Sequence, residues 1–203
     1  MLTLFHAPWS RSSRLVWLLE EIGTRYEICY CDIVRADGSG ARDPRNPHPD
    51  GKVPALLHGD VLVTESAAVA LYLTDLFPEA GLGAPVGSPE RGAYLTWLAW
   101  TAGEMEPAFW AKISGATDSD PKAQARYDAV IDRLFDALER GPYLMGQRFT
   151  AVDVMVGSAL AWGREFGPQS AALDAWLERL SQRPGALLAA ARDGTPPALA
   201  EVA

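Results

Sequence analysis

Cysteine is scarce in this chain, with only Cys29 and Cys31 among 203 residues. They lie two apart in Tyr26-Glu27-Ile28-Cys29-Tyr30-Cys31-Asp32-Ile33, so on a strand both side chains point to one face. Neighbours on one strand are poorly placed to bridge each other, and the two-residue spacing of a redox pair or zinc knuckle is missing. They read as small strand residues, with a thiol nucleophile as the minor alternative. Positive charge is short as well: 18 Lys and Arg against 26 Asp and Glu leave a net charge of −8, which excludes a nucleic acid held through its phosphates. No apolar run approaches the roughly 20 residues of a membrane span. No basic segment followed by a long apolar core opens the chain, so a signal peptide is not expected. Repeats and low-complexity tracts are absent. The expectation is a cytoplasmic protein without membrane or nucleic-acid partners.

What is present is ordinary globular material, 48% hydrophobic and 22% charged. A strand is expected over 2–6, a helix over 11–22 stopped by Gly23, and a strand over 26–33. Strand, helix and strand with short connections make a right-handed βαβ unit with parallel strands. Residues 35–50, rich in Gly, Asp, Pro and Arg, read as loop. Strands over 53–57 and 61–64 flank a His58-Gly59-Asp60 hairpin turn, and a helix over 66–76 follows. This β-α-β, β-β-α arrangement is a mixed sheet with helices packed on it. After a linker at 79–88 the pattern is helical only: 90–113, 120–139, 152–162, 173–182 and 186–192. The run from Val152 is apolar nearly all round, which places it at the centre of its domain. Thr150 and Asp153 have the spacing of a capping box and read as a folding device. The domains expected are 1–78, α/β, and 89–203, all-helical.

The chain is organised around Gly51-Lys52-Val53-Pro54 and Glu65-Ser66. Proline entering a strand cannot donate to a ladder and calls for a turn or bulge. A cis bond before proline costs only about 0.5–1 kcal/mol. A bend there would offer the N–H and C=O of Val53 to an outside peptide, as an added strand would pair. Glu65-Ser66 opens a helix, whose free N–H groups and positive dipole end suit a carboxylate. Peptide backbone on one side and a carboxylate on the other describe a small acidic peptide ligand.

These motifs, with Thr150-Ala151-Val152-Asp153 and Trp176-Leu177-Glu178-Arg179-Leu180 before Arg183-Pro184, resemble the cytosolic glutathione transferases over essentially the whole chain. The first half is similar to their thioredoxin-like half and the second to their all-α half. His48-Pro49-Asp50-Gly51-Lys52 and Ser10-Arg11-Ser12-Ser13-Arg14 look most like the bacterial and fungal, serine-type branch. The resemblance implies glutathione as co-substrate, no metal, a catalytic group at the start of the first helix, and a homodimer.

A free thiol titrates near pH 8.5, so activating it at neutral pH means lowering its pKa by about two units, roughly 2.7 kcal/mol. One hydrogen bond to the charged sulfur supplies about 1.5–3 kcal/mol, and a helix N-terminus adds up to about one. One hydroxyl is therefore sufficient. The family places Tyr, Ser or Cys in this loop; here stand Ser10, Ser12 and Ser13. Ser10, after Pro8-Trp9 and four before Arg14, is the first choice and Ser12 the second, although an isolated Ser10 would read as an N-cap.

The resemblance also implies that Val53 and Pro54 hold the cysteinyl backbone, Glu65 and Ser66 the γ-glutamyl end, and Lys52 and His48 the glycine carboxylate. His6 and His58 read as structural. An apolar electrophile pocket is expected where the long helix faces the sheet domain. Trp97, Trp100 and Glu104 share one helix face, and Trp9, Met105 and Trp110 are further candidates. The activity implied is addition of glutathione to a hydrophobic electrophile, or reduction of a peroxide. The alternative is a glutathione- or hydrophobic-ligand-binding protein without catalysis. A thiol–disulfide reductase is disfavoured by the lack of cysteine in the serine loop.

Overall fold

The N-terminal alternating run is the interior strand β1 (Leu2–His6) in the computed structural model, which describes residues 1–193. The sheet has the order β2-β1-β3-β4. β1 runs parallel to β2 (Glu27–Tyr30), with Leu4 opposite Ile28. It runs antiparallel to β3 (Ala55–His58), with Leu4 opposite Leu56, and β3 pairs antiparallel with β4 (Val61–Thr64). Helix α1 (Ser13–Ile22) links β1 to β2, and α2 (Ser66–Leu76) follows β4. The thioredoxin-like βαβ-ββα expectation is met.

Three boundaries shift for local reasons. β3 starts at Ala55 rather than at residue 53, after a Val53–Pro54 bond that is cis, because Pro54 has no N–H for the ladder. α1 starts at Ser13 rather than at residue 11, because the three preceding residues form turns closed by serine hydroxyls. β2 stops at Tyr30, although Cys31 still donates its N–H to the His6 carbonyl at 2.8 Å. The sulfurs of Cys29 and Cys31 lie 4.0 Å apart as free thiols, and burial pushes the Cys31 thiol up to about 12. A thiol so held is a poor nucleophile, which favours the reading as small strand residues.

Packing divides the described residues into two compact units, 1–80 with 183–193, and 81–182. The last described helix, α8 (Pro184–Asp193), therefore belongs with the sheet and not with the helical half, where the chain order had put it. The physical reason is its anchoring along α1. Arg183 makes a two-pronged ion pair with Glu21 at 2.9 and 2.7 Å, and Arg192 reaches Glu20 at 3.2 Å. Asp193 takes the Ser13 hydroxyl at 2.7 Å. Gly185 permits the close approach: an added Cβ would sit 2.7 Å from the Glu21 carboxyl carbon.

The second unit contains α3 (Arg91–Trp100), α4 (Glu106–Ile113), α5 (Pro121–Glu139), α6 (Ala151–Trp162) and α7 (Ala171–Ser181). The single helix expected over 90–113 is interrupted by a π-helical turn, Thr101–Met105. Pro107 has no N–H to offer the carbonyl of Gly103, and Arg126 from α5 takes that carbonyl instead at 3.0 Å. α6 is central, as its all-round apolar pattern requires, with Val152, Val154 and Val156 fully buried.

The capping box at the start of α6 forms. Asp153, fully buried, accepts the N–H of Thr150 (2.9 Å), the N–H of Leu144 (2.9 Å) and Nε1–H of Trp176 (3.2 Å). No helix among the described residues is long and apolar enough to cross a membrane.

Candidate functional site

The loop between β1 and α1 folds around its serines. Ser12 is completely buried and Ser10 half-buried in front of it. The two hydroxyl oxygens are 2.8 Å apart. Ser10 Oγ also lies 2.7 Å from the Ala7 carbonyl, to which it donates, and accepts the N–H of Ser12 at 3.2 Å. Ser10 thus braces its own turn while keeping an accessible edge. Ser12 makes no cap bond to α1, because its hydroxyl is engaged with His6 Nδ1 at 2.7 Å and accepts the Ala7 N–H at 3.2 Å. Trp9, next to Ser10, is 71% exposed and has φ of 57°, a left-handed conformation that is uncommon for a bulky residue.

Across the same unit, the backbone N–H and C=O of Val53 have no hydrogen-bond partner among the described residues. Glu65, exposed, precedes α2 with φ 68° and ψ 123°, the other left-handed non-glycine residue among those described. Its side chain does not cap the helix, so the first N–H groups of α2, beginning at the buried Ser66, are uncapped. Two such backbone conformations beside uncommitted polar groups are what binding sites commonly hold in place at a cost of about 1–3 kcal/mol each.

Lys52 is exposed and 3.5 Å from the equally exposed Asp50. His48 is differently placed than expected: it is buried, its Nδ1 accepts the Asp50 N–H at 3.0 Å, and its own N–H goes to Asn46. It braces the loop, leaving only Nε2 for anything else. Among the described residues no group of His, Cys, Asp and Glu is clustered to hold a metal ion.

The electrophile candidates on the helical unit are engaged locally. Met105 is fully buried there and has no surface with which to meet a ligand. Glu104 pairs with Arg126 at 2.8 Å. Trp97 and Trp100 meet edge to face at 5.1 Å, with the Arg133 guanidinium 4.7 and 4.5 Å from the two ring centres. Trp97 is nearly buried, while Trp100 and Trp110 keep exposed surface.

Two residues behind the serines escaped the sequence reading. His6, which reads as structural from the sequence, is fully buried between Ser12 and Asp193, with Nε2 3.1 Å from the Asp193 carboxylate. Burial pushes the Asp193 carboxyl up, but the close His6 imidazole and the Ser13 hydroxyl outweigh that and hold it below the usual range. Nothing in residue spacing links a histidine of the first strand to an aspartate in the last described helix; only the packing of α8 on α1 does.

Residues 1–75 match the glutathione S-transferase N-terminal domain, and residues 100–184 match the C-terminal domain. A glutathione transferase of Methylococcus capsulatus has 30% sequence identity and a TM-score of 0.80, over 96% of this chain and 99% of that one. A sphingomonad glutathione S-transferase solved in complex with glutathione has 28% identity and a TM-score of 0.77, over 96% and 100%. The disulfide-bond oxidoreductase YfcG of Escherichia coli is 28% identical, over 91% of this chain and 92% of the relative. On these matches and on the fold, the chain belongs to the glutathione S-transferase family.

Proposed function

We propose that the protein is a serine-type glutathione transferase, in which the Ser10 hydroxyl stabilises the thiolate of bound glutathione for attack on a hydrophobic electrophile or a peroxide. The observation that carries this reading is the half-buried Ser10 just before α1, its hydroxyl backed by that of the buried Ser12 at 2.8 Å. One hydrogen bond to a charged sulfur is worth about 1.5–3 kcal/mol, enough for the roughly two-unit drop in thiol pKa that neutral-pH catalysis requires. The uncommitted backbone of Val53, beside Pro54, would pair with the cysteinyl residue. The uncapped start of α2 at Ser66 would take the γ-glutamyl carboxylate and Glu65 its ammonium. Lys52 faces solvent and is free to turn to the glycine carboxylate; His48 serves by shaping the loop that carries Lys52. The exposed ring of Trp9 offers an apolar surface beside the sulfur. A homodimer in the cytoplasm completes the proposal, as the family resemblance implies.

Calorimetry with reduced glutathione and turnover of an aryl halide test this. Binding is expected, with Ser10→Ala slowing conjugation about tenfold or more, a loss of roughly 1.4 kcal/mol in transition-state stabilisation. Binding without turnover would leave the non-catalytic carrier of the same fold. Turnover unchanged by Ser10→Ala would move the role to another group.

A further inference from the structure

The proposed role of Ser10 leaves open where the thiol proton goes. A serine hydroxyl that donates to a thiolate has already passed on any proton it received, because it holds only one. In this chain the hydroxyl does not stand alone. Ser10 Oγ is 2.8 Å from Ser12 Oγ, Ser12 Oγ is 2.7 Å from His6 Nδ1, and His6 Nε2 is 3.1 Å from Asp193 Oδ1. The line begins at Ser10, a half-buried residue, and ends at a carboxylate, through two side chains with no solvent exposure.

We propose that Ser12, His6 and Asp193 form a proton relay behind Ser10, and that His6 stores the proton given up when bound glutathione ionises. The inference rests on the reading of Ser10 as the hydroxyl beside the sulfur. The step balances as a proton transfer alone. The S–H bond breaks and its proton joins Ser10 Oγ, as Ser10 turns its own from the Ala7 carbonyl to Ser12 Oγ, 2.8 Å away, and passes it on, and Ser12 passes its own to His6 Nδ1. A neutral thiol and a neutral imidazole become a thiolate and an imidazolium, and nothing is oxidised or reduced.

Afterwards every hydrogen points one way. His6 Nδ1–H donates to Ser12, Ser12 to Ser10, and Ser10 to the sulfur. For Nδ1 to accept at the start, the resting proton sits on Nε2, the nitrogen turned toward Asp193.

A second feature of the imidazole fits this role. His6 Nε2 is fully buried and makes no well-aligned hydrogen bond, although a carboxylate oxygen lies 3.1 Å away. The two facts agree if the contact is one of charge rather than of direction. Buried polar atoms left unaligned are rare and call for a reason. An ionic contact of this kind is weak while the ring is neutral and strong once it is cationic, which is what a proton store requires. Asp193 is suited to the task, because the Ser13 hydroxyl at 2.7 Å and the Trp9 N–H at 3.3 Å hold it in place. Among the described residues, titratable groups that face the imidazole include Asp193 from α8 and Tyr30 from β2, whose ring meets it edge-on at 5.6 Å. A simple loop brace would need neither the buried charge nor the continuity of hydroxyls out to Ser10.

The test follows the proton. Glutathione is mixed with the protein in weakly buffered solution containing a pH indicator, and thiolate is followed by its ultraviolet absorbance. The wild type is expected to form thiolate while releasing little proton to solvent, and nitrogen NMR is expected to show His6 change from neutral to doubly protonated on binding. Asp193→Asn keeps an oxygen for Ser13 and Trp9 but removes the charge. It is expected to raise the pH midpoint of thiolate formation by about one unit, to lower kcat/KM for glutathione about tenfold at neutral pH, and to release the proton to solvent. Ser12→Ala, which cuts the line but leaves His6 and Asp193, is expected to do the same.

Thiolate that forms in the wild type with His6 still neutral, and with its proton fully released, overturns the relay while leaving Ser10 in its role. The same holds if Asp193→Asn leaves the pH midpoint unmoved. Bound glutathione that forms no thiolate overturns the transferase reading itself, and the relay with it.

Discussion

Each unit holds an aspartate in a web of polar contacts, Asp153 fully buried and Asp193 partly so, and the two webs end differently. Asp153, in the helical unit, is surrounded by donors from Leu144, Thr150 and Trp176 that lie on three separate stretches of chain. Every one of those donors terminates on the carboxylate, and none leads outward. Asp193, in the sheet unit, receives Ser13 and the Trp9 N–H, but beyond His6 and Ser12 its web emerges at Ser10. The electrostatics diverge accordingly. Burial dominates at Asp153 and pushes its carboxyl above the usual range, while at Asp193 the contacts with His6, Ser13 and the Trp9 N–H prevail over burial. A closed web joins pieces of a fold; an open one can carry a proton. The same residue type serves both ends, and the exit to solvent makes the difference.

The largest effect that would sharpen this contrast is on the closed side. Asp153→Ala strands three buried donors at about 1–3 kcal/mol each, so a loss of about 3–5 kcal/mol in urea unfolding is expected. A loss below about 1 kcal/mol would show that the web is dispensable and break the comparison. On the open side, Ser10→Ala should act on turnover and hardly on folding: its unfolding midpoint should correspond to a change of no more than about 1 kcal/mol.

Next comes the helix that supplies Asp193. Gly185→Ala forces a methyl against the Glu21 carboxyl and should cost about 1–3 kcal/mol, with slower conjugation as Asp193 is displaced. Stability unchanged by this substitution would mean that α8 is not held as described.

The smallest effect concerns a third carboxylate, Asp43. Arg45 donates to it at 2.6 Å and holds its carboxyl low, at about 2. A depressed folded value means that the unfolded chain binds the proton first. Asp43 therefore stabilises above the unfolded value of about 3.9, and this contribution is lost as pH falls from there toward 2. Asp43→Asn should flatten the acid limb of the stability profile in that window; an unchanged slope would assign acid sensitivity to other carboxylates.

Much of the fold could be read from local pattern. The periodic Tyr127, Val130, Ile131 and Leu134 mark α5, Thr150 and Asp153 mark the start of α6, and Gly23 stops α1 with φ 73°. These signals are legible because each lies within one or two helical turns of the structure it dictates.

What was not legible depends on partners distant in sequence. The π-helical turn before α4 rests on Pro107 together with a guanidinium from α5. The bracing role of His48 depends on the conformation of its own loop, where its ring turns inward to the Asp50 N–H. α8 has helical spacing that says nothing about which unit it joins. The candidate site residues follow the same rule. Ser10, Val53, Pro54, Glu65 and Ser66 were named from short motifs, whereas His6 and Asp193 gained significance only when α8 folded back along α1.

The placement of α8 also bears on how the protein is made. Ser13 and Asp193 are 180 positions apart, so a nascent chain has the serine loop long before it has the carboxylate that anchors it. The sheet unit is finished only after the whole helical unit has left the ribosome. A gene split after α2 would yield a first half with α1 uncovered, however sound its sheet. A chain interrupted before its last described helix would leave Glu20 and Glu21 of α1 without their arginine partners and the serine loop without the carboxylate that Ser13 reaches.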